Sequence, residues 1–305
     1  MYSTCNSVVY VAFCAKEKYW MANKNLALHW SVYRFSKLIC LLALIFSPVS
    51  HATELTIAVS SNFYNPLKRI ALKFKEENPS VRPRLSTGSS GSIYTKIKNG
   101  APYDLFLSAD QELPERLQKE GLVVPESLHN YAVGRLVVWG PRLDFFERDE
   151  DIFTEDGVNV IVLPNPKVAP YGQSAKAFLE REGVWKKIEK KVVYAENVGQ
   201  AFQYIETGHV QIGFVALSQL RTMGISPEKS AWILDSDDYP PIRQYAVVLN
   251  RGQNKEVAQK FLDYLMSEKI QNMIARMGYG AVLKPEVVEE ERGFSFGDDG
   301  SEFDF

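Results

Sequence analysis

The sequence predicts an α/β protein built on a parallel sheet, and two observations carry that expectation. From Thr53 onward, short β-branched or apolar runs alternate with segments whose apolar residues recur at helical spacing, the rhythm of βαβ units. Several of these pairs are joined by turns rich in Ser, Asn, Gly or Pro, residue types that start helices.

Leu55 to Val59 reads as the first strand. Leu67, Ile70, Ala71 and Phe74 then recur at i, i+3, i+4 and i+7, with Pro66 suited to a first turn and Asn78-Pro79 closing the helix. Further strands are expected at Val81 to Leu85, Leu105 to Ser108, Leu136 to Trp139, Val160 to Leu163, Val192 to Ala195, Gly213 to Ala216 and Tyr245 to Leu249. Helices are expected at Gly91 to Asn99, Glu112 to Glu120, Gly172 to Glu182, Val198 to Thr207 and Lys255 to Ser267. About 230 folded residues in this rhythm can form one large sheet or two lobes of about 100 to 130 residues each; length leaves both open.

The two ends read differently. Leu38 to Ser50 is an apolar run too short to span a bilayer comfortably, preceded by Lys24, Arg34 and Lys37 and followed by the small-x-small sequence Ser50-His51-Ala52. Residues 1–52 are therefore expected to be a signal peptide, with Met21 an alternative start and the mature chain beginning near Thr53. All three cysteines, Cys5, Cys14 and Cys40, fall in that segment, leaving no thiol for a disulfide, a zinc site or a nucleophile in the mature chain. Residues 286–305 carry eight acids and one Arg without periodicity and read as a disordered acidic tail, a solvated end or an interaction peptide. Between these ends, residues 53–285 hold 29 basic and 28 acidic residues. A near-neutral body disfavours nucleic acid and anionic membranes as partners.

The turns carry the functional signal. Val59-Ser60-Ser61-Asn62 and Ser86-Thr87-Gly88-Ser89-Ser90-Gly91-Ser92 each stand between a strand and a helix. The first turn of a helix leaves N–H groups without partners, and the macrodipole adds about half a positive charge there, so two such ends at one point make an anion cage without a charged side chain. Alone, Ser61-Asn62 is equally an ordinary N-cap. Ser89 to Ser92 offers three hydroxyls where a cap uses one, with Gly88 and Gly91 allowing close backbone approach. Ala169-Pro170-Tyr171-Gly172 and Asn197-Val198-Gly199-Gln200 add two more helix starts. The sequence contains no P-loop, dinucleotide glycine pattern, nucleophile elbow or paired-His metal motif. His129 and His209 read as surface residues, and Asp104 and Asp110, at opposite ends of one strand, as structural carboxylates.

Five segments carry a resemblance: LTIAVSSNF (55–63), STGSSGS (86–92), NGAPYDLFLSAD (99–110), NPKVAPYG (165–172) and ENVGQA (196–201). In this order and spacing the chain resembles the periplasmic molybdate-binding proteins of ABC importers, in register from about Glu54 to Leu283. The resemblance implies a two-lobed type II periplasmic binding protein fold, with the ligand in a cleft between lobes joined by two crossing strands. The lobes would be 53–133 plus 243–285 and 134–242, closing on the ligand by a hinge motion.

Carried over by position, the oxyanion ligands fall on Ser61 and Asn62, on Ser90, and on the backbone N–H groups of Tyr171 and Val198. The resemblance further implies a periplasmic, monomeric protein that uses no cofactor and performs no chemistry, binds molybdate or tungstate, the metal entering only as its oxyanion, and hands it to a membrane permease. Both anions are fully deprotonated at neutral pH. A cage of donors accepts them and penalises protonated phosphate, whose O–H lacks a partner, while sulfate has to be excluded by size. The best-known branch has Ser where Asn62 stands and Tyr where Ala216 stands, so here Asn62 donates through its amide or backbone and Ala216 donates nothing. Competing readings are another tetrahedral oxyanion such as sulfate, a ligand sensor docking on a membrane signalling protein, and an exported enzyme acting on a phosphorylated or sulfated substrate; the last lacks a nucleophile, metal cluster or general base.

Overall fold

The computed structural model describes residues 52–141, 150–280 and 282. The expected signal segment, apart from Ala52, and the acidic tail 286–305 lie outside the described residues.

The first half of the chain runs β1 (Thr53–Ser60), a 3-10 turn (Ser61–Phe63), α1 (Tyr64–Glu77), β2 (Val81–Gly88), α2 (Ser90–Lys98), β3 (Leu105–Ser108), α3 (Glu112–Lys119) and β4 (His129–Gly134). It continues through β5 (Leu136–Trp139), a 3-10 turn (Glu150–Phe153), β6 (Ile161–Pro164), α4 (Pro170–Arg181), the short α5 (Trp185–Ile188), β7 (Val192–Ala195), α6 (Val198–Glu206), β8 (Ile212–Ala216), α7 (Leu217–Thr222), α8 (Pro227–Ser230) and β9 (Ala231–Ile233). It ends with β10 (Ile242–Val248), α9 (Lys255–Met266) and α10 (Glu268–Arg276).

These strands form two five-stranded sheets, ordered β2-β1-β3-β10-β4 and β7-β6-β8-β5-β9. In the first, β1 lies parallel to β2 and β3 while β10 runs antiparallel to β3 and β4. In the second, β6 is parallel to β7 and β8, and β5 is antiparallel to β8 and β9. The sheets are therefore mixed rather than wholly parallel. The chain passes from the first sheet to the second between Gly134 and Leu136 and returns between Ile233 and Ile242. The Leu136 N–H donates to the Tyr239 hydroxyl at 3.0 Å, which ties the outgoing and returning segments together.

Burial explains why these residues fold so. In β1, Leu55, Ile57 and Val59 point to one face and pack with Phe63, Leu67 and Phe74, while Ala58 points to the other and packs with Ile93, Phe106 and Leu117. A sheet covered on both faces needs apolar residues at successive positions, which is why these strands read as continuous apolar runs. The second sheet has its own core around Val138, Trp139, Phe178 and Phe214, with Trp139 stacked on Phe202 at 4.7 Å.

Several features depart from expectation. β2 runs on to Gly88, paired residue for residue with β1 up to Ser60↔Gly88, so Ser86 to Gly88 is strand and not turn; ladder hydrogen bonds outweigh the weak strand propensity of Gly and Ser. β4 escapes the sequence pattern because the run HNYAVG mixes polar residues into an edge strand. β9 is three residues long, and α10 follows α9 after Ser267 alone, too abruptly for a composition change to mark.

Gly172 is fixed by close approach: a Cβ there would stand 2.0 Å from the Pro164 carbonyl oxygen at the end of β6. Gly172→Ala should therefore push α4 away from β6 and lower stability by about 1–3 kcal/mol, the usual cost of overpacking. Urea unfolding checks this; a midpoint equal to wild type would show that the helix shifts freely.

Candidate functional site

Four of the strand-to-helix junctions meet at one small cavity at the carboxyl ends of β1, β2, β6 and β7, where open α/β sheets bind ligands. One wall is made by Ser60, Ser61 and Asn62 and by Gly88, Ser89 and Ser90, with Ala109 beside them. The other is made by Ala169, Pro170 and Tyr171 and by Asn197 and Val198. The cavity is small, with room of about 10 Å³, and no charged side chain lines it. All five residues singled out from the sequence, Ser61, Asn62, Ser90, Tyr171 and Val198, stand on its walls.

The helix starts spend some of their N–H groups and leave others over. At α2, the Ser89 hydroxyl accepts from Ser92 N–H at 3.3 Å and the Val168 carbonyl from Gly91 N–H at 3.0 Å. At α6, Asn197 Oδ1 accepts from Gln200 N–H and Ser61 Oγ from Gly199 N–H, each at 3.1 Å. At α4, Pro170 has no N–H, and Gly172 donates to the Ala169 carbonyl at 2.9 Å. What remains at these three helices is the N–H of Ser90, of Tyr171 and of Val198, and at the Ser61–Phe63 turn that of Asn62, for which no described residue supplies an acceptor. Three unused donors at the positive ends of three helices face a site without charged side chains.

The serine hydroxyls divide their work differently from expectation. Ser89 serves as the cap, and Ser92 Oγ donates back to the Ser89 carbonyl at 3.0 Å, so of the three hydroxyls in that turn only Ser90 is left for the cavity. The Ser90 Oγ lies 2.5 Å from Ser60 Oγ, and Ala109 N–H donates to both, at 2.9 and 3.2 Å. One hydroxyl of the pair must donate to the other, leaving one hydrogen between them to be shared between a ligand and the Asp110 carboxyl, which Ser90 also reaches. Ser60 and Ala109 were not singled out from the sequence as site residues. They meet Ser90 because β1 lies between β2 and β3, a neighbour relation that strand pairing alone decides.

Behind this wall is a polar cluster. Asn62, 1% exposed, donates Nδ2 to Gln244 Oε1 at 2.9 Å and to the Tyr279 hydroxyl at 3.2 Å. Tyr131 donates to the same Gln244 oxygen at 2.9 Å, and Gln244 Nε2 donates to the Tyr171 hydroxyl at 3.3 Å. Burial pushes the hydroxyls of Tyr131 and Tyr171 well above the ordinary tyrosine range and that of Tyr279 upward as well, so all three stay neutral donors. Ala216 is buried away from the cavity walls. Its N–H is accepted by Gln219 Oε1 at 2.9 Å, while Gln219 Nε2 holds the Val198 carbonyl at 3.1 Å.

The two carboxylates at the ends of β3 serve the fold. Asp104 accepts from Thr56 N–H at 2.7 Å and Asn254 N–H at 3.0 Å. Asp110 accepts from Leu113 N–H in the first turn of α3 at 2.7 Å and from Ser108 Oγ at 3.0 Å. His209 is exposed and His129 half-buried in β4. Among the described residues no group of three His, Cys, Asp or Glu could hold a metal ion.

A two-lobed α/β molecule with an uncharged, donor-lined cavity at the ends of its parallel strands has the type II periplasmic binding protein fold. The chain belongs to the bacterial extracellular solute-binding protein family, whose model matches residues 55–280. It is similar to the molybdate-binding protein ModA of Azotobacter vinelandii, 38% identical over 231 residues, covering 76% of this chain and 91% of the relative. It is also similar to ModA of Rhodobacter capsulatus, 36% identical over 232 residues, 75% of this chain and 88% of the relative. Among solved structures, the periplasmic molybdate-binding protein of A. vinelandii superposes with a TM-score of 0.71 at 32% identity, covering 74% of this chain and 98% of that one. The sulfate-binding protein SubI of Mycobacterium tuberculosis, with a TM-score of 0.62 at 16% identity over 75% of this chain and 87% of that one, shares the fold.

Burial pushes the Asp110 carboxyl above its ordinary value of 3.8, against the Leu113 N–H and Ser108 hydroxyl that favour its charged form. The folded chain thus holds this proton where the unfolded chain has released it. The stabilisation is complete below the ordinary value and is lost as pH rises through the raised one. Urea midpoints measured from about pH 4 to about pH 7 should fall with rising pH relative to Asp110→Asn, since the variant has no carboxyl to titrate. Parallel curves would clear Asp110 of the effect.

Proposed function

We propose that the protein is an extracytoplasmic solute-binding protein that captures molybdate, and tungstate with it, in the periplasm and delivers it to the permease of an ABC importer. The observation that carries this reading is the convergence of three unaccepted helix-start N–H groups, of Ser90, Tyr171 and Val198, with one spare hydroxyl hydrogen of the Ser60–Ser90 pair at an uncharged cavity. Donors without a charged partner suit a fully deprotonated tetrahedral dianion. The relatives named above are molybdate-binding proteins, which supports the same choice of anion.

In this reading the ligand set is Ser61, Asn62, Ser90 and the N–H groups of Tyr171 and Val198, with Ser60 and Ala109 added behind Ser90. The segments 53–133 plus 243–285 and 134–242 act as lobes that close over the anion, and the protein works as a monomer without catalysing a reaction. Cross-wall bonds such as Gly199 N–H to Ser61 Oγ support closure as the binding-competent state. Calorimetric titration of the chain from Thr53 with molybdate, tungstate, sulfate and phosphate tests the reading. Tight one-to-one binding of the first two with the others silent is expected; binding of sulfate alone would overturn the choice of anion.

Ser90→Ala removes a hydroxyl and the relay it forms with Ser60, and should weaken molybdate binding by about 1.5–3 kcal/mol, the range for hydrogen bonds to charged groups. Because Ser60 and Ser90 share one spare hydrogen, the Ser60→Ala/Ser90→Ala double variant should lose less than the sum of the single variants by the same titration. Strict additivity would mean the two hydroxyls act separately.

A further inference from the structure

One residue on the cavity wall, Asn62, has a side chain that is only half satisfied. Asn62 Oδ1 is buried and has no hydrogen-bond donor among the described residues, an arrangement that costs free energy. It belongs to the side chain whose Nδ2 is committed to Gln244 and Tyr279. Gln244 is fully buried, and it sits at a register shift in β10, between Gln244 and Tyr245, of the kind that re-aims a side chain. Its amide touches Asn62 and Tyr131 through one atom and Tyr171 through the other, so a single side chain on the returning strand spans from Asn62 in one wall to Tyr171 in the other.

We propose that Gln244 is the positioning residue of the site: it turns together with Asn62 between two hydrogen-bond states, and anion binding selects the state in which Asn62 donates into the cavity. In the first state Gln244 Oε1 accepts from Asn62 Nδ2 and from the Tyr131 hydroxyl, Gln244 Nε2 donates to Tyr171, and Asn62 Oδ1 is unpaired. A half-turn of each amide exchanges its oxygen with its nitrogen and leaves every other heavy atom in place. Gln244 Nε2 then donates its two hydrogens to Asn62 Oδ1 and to the Tyr131 oxygen, and Tyr131 donates to the Ser108 carbonyl, already 3.3 Å away. Tyr171 donates to Gln244 Oε1, and Asn62 Nδ2 occupies the place of the orphaned acceptor. The cost of the turned state is the loss of the Asn62 Nδ2 bond to Tyr279, whose hydroxyl keeps its own bond to the Asn62 carbonyl at 2.9 Å. Without an acceptor in the cavity the turned amide gains nothing there, and with a dianion it adds a charge-assisted bond, so ligand and amide state are linked. Tyr171 also supplies one of the unused N–H groups, so the same turn reaches the helix start of the opposite wall.

This inference rests on the oxyanion reading, and the experiment separates the two. Wild type, Gln244→Met, Asn62→Ala and the double variant are titrated with molybdate by calorimetry, and the side-chain amide resonances of Asn62 and Gln244 are followed by NMR in the wild type. Gln244→Met keeps volume and neutrality and removes both amide atoms. The expected result is a loss of at least tenfold in each single variant, no further loss in the double variant, and movement of both wild-type amide resonances as molybdate saturates. If Gln244→Met does not fold, the wild-type resonances decide alone, and a Gln244 amide that stays fixed through saturation overturns the inference. Wild-type binding with Gln244→Met unchanged, or with additive losses, overturns the inference alone; a wild type that binds no oxyanion overturns both.

Discussion

A buried backbone N–H must find an acceptor, and three α-helix starts among the described residues bring to a single point N–H groups that have none of their own. Each belongs to a helix that starts where a parallel strand ends, so the sheets and helices share one geometric job: to bring those starts together. The caps at Ser89 and Asn197 and the proline at 170 dispose of the neighbouring donors, which leaves the residues that face the cavity as the unsatisfied ones. A site made this way attracts an anion with dipoles and needs no Lys or Arg, so its selectivity depends on donor count and on size more than on charge.

The same economy governs the layers behind the site. Hydroxyls of three buried tyrosines are held neutral by burial, so the cluster around Gln244 places no negative charge beside a bound dianion. Gln219 links the Ala216 N–H to the Val198 carbonyl and so fixes the start of α6 from behind. The close approach at Gly172 holds the start of α4 against β6 in the same way. The contacts of Gln219 are satisfied, and the orphaned Asn62 Oδ1 stands out against them.

Much of this was legible along the chain. The apolar runs of β1, β3, β5 and β6 and the helical periods of α1 and α9 follow from burial on two faces or one, and such patterns survive in any tertiary setting. The four helix starts were equally visible, since capping residues, Gly and Pro act within a few residues of where they stand. β4 was not visible: its ladder with β10 is made by partners more than a hundred residues away, and Tyr131 and Ala132 carry its burial without an alternating neighbourhood.

Local chemistry therefore determined where helix-start donors lie, and the resemblance to molybdate-binding proteins then singled out Ser61, Asn62, Ser90, Tyr171 and Val198 among them. The tertiary structure alone decided which donors were still free. Sheet order placed Ala109 and Ser60 against Ser90 and reduced two hydroxyls to one spare hydrogen, and the bulge in β10 brought Gln244 under Asn62. A hydrogen bond is consumed by whichever partner lies within about 3 Å, and that distance is set by strand pairing across the whole fold, not by neighbours in sequence.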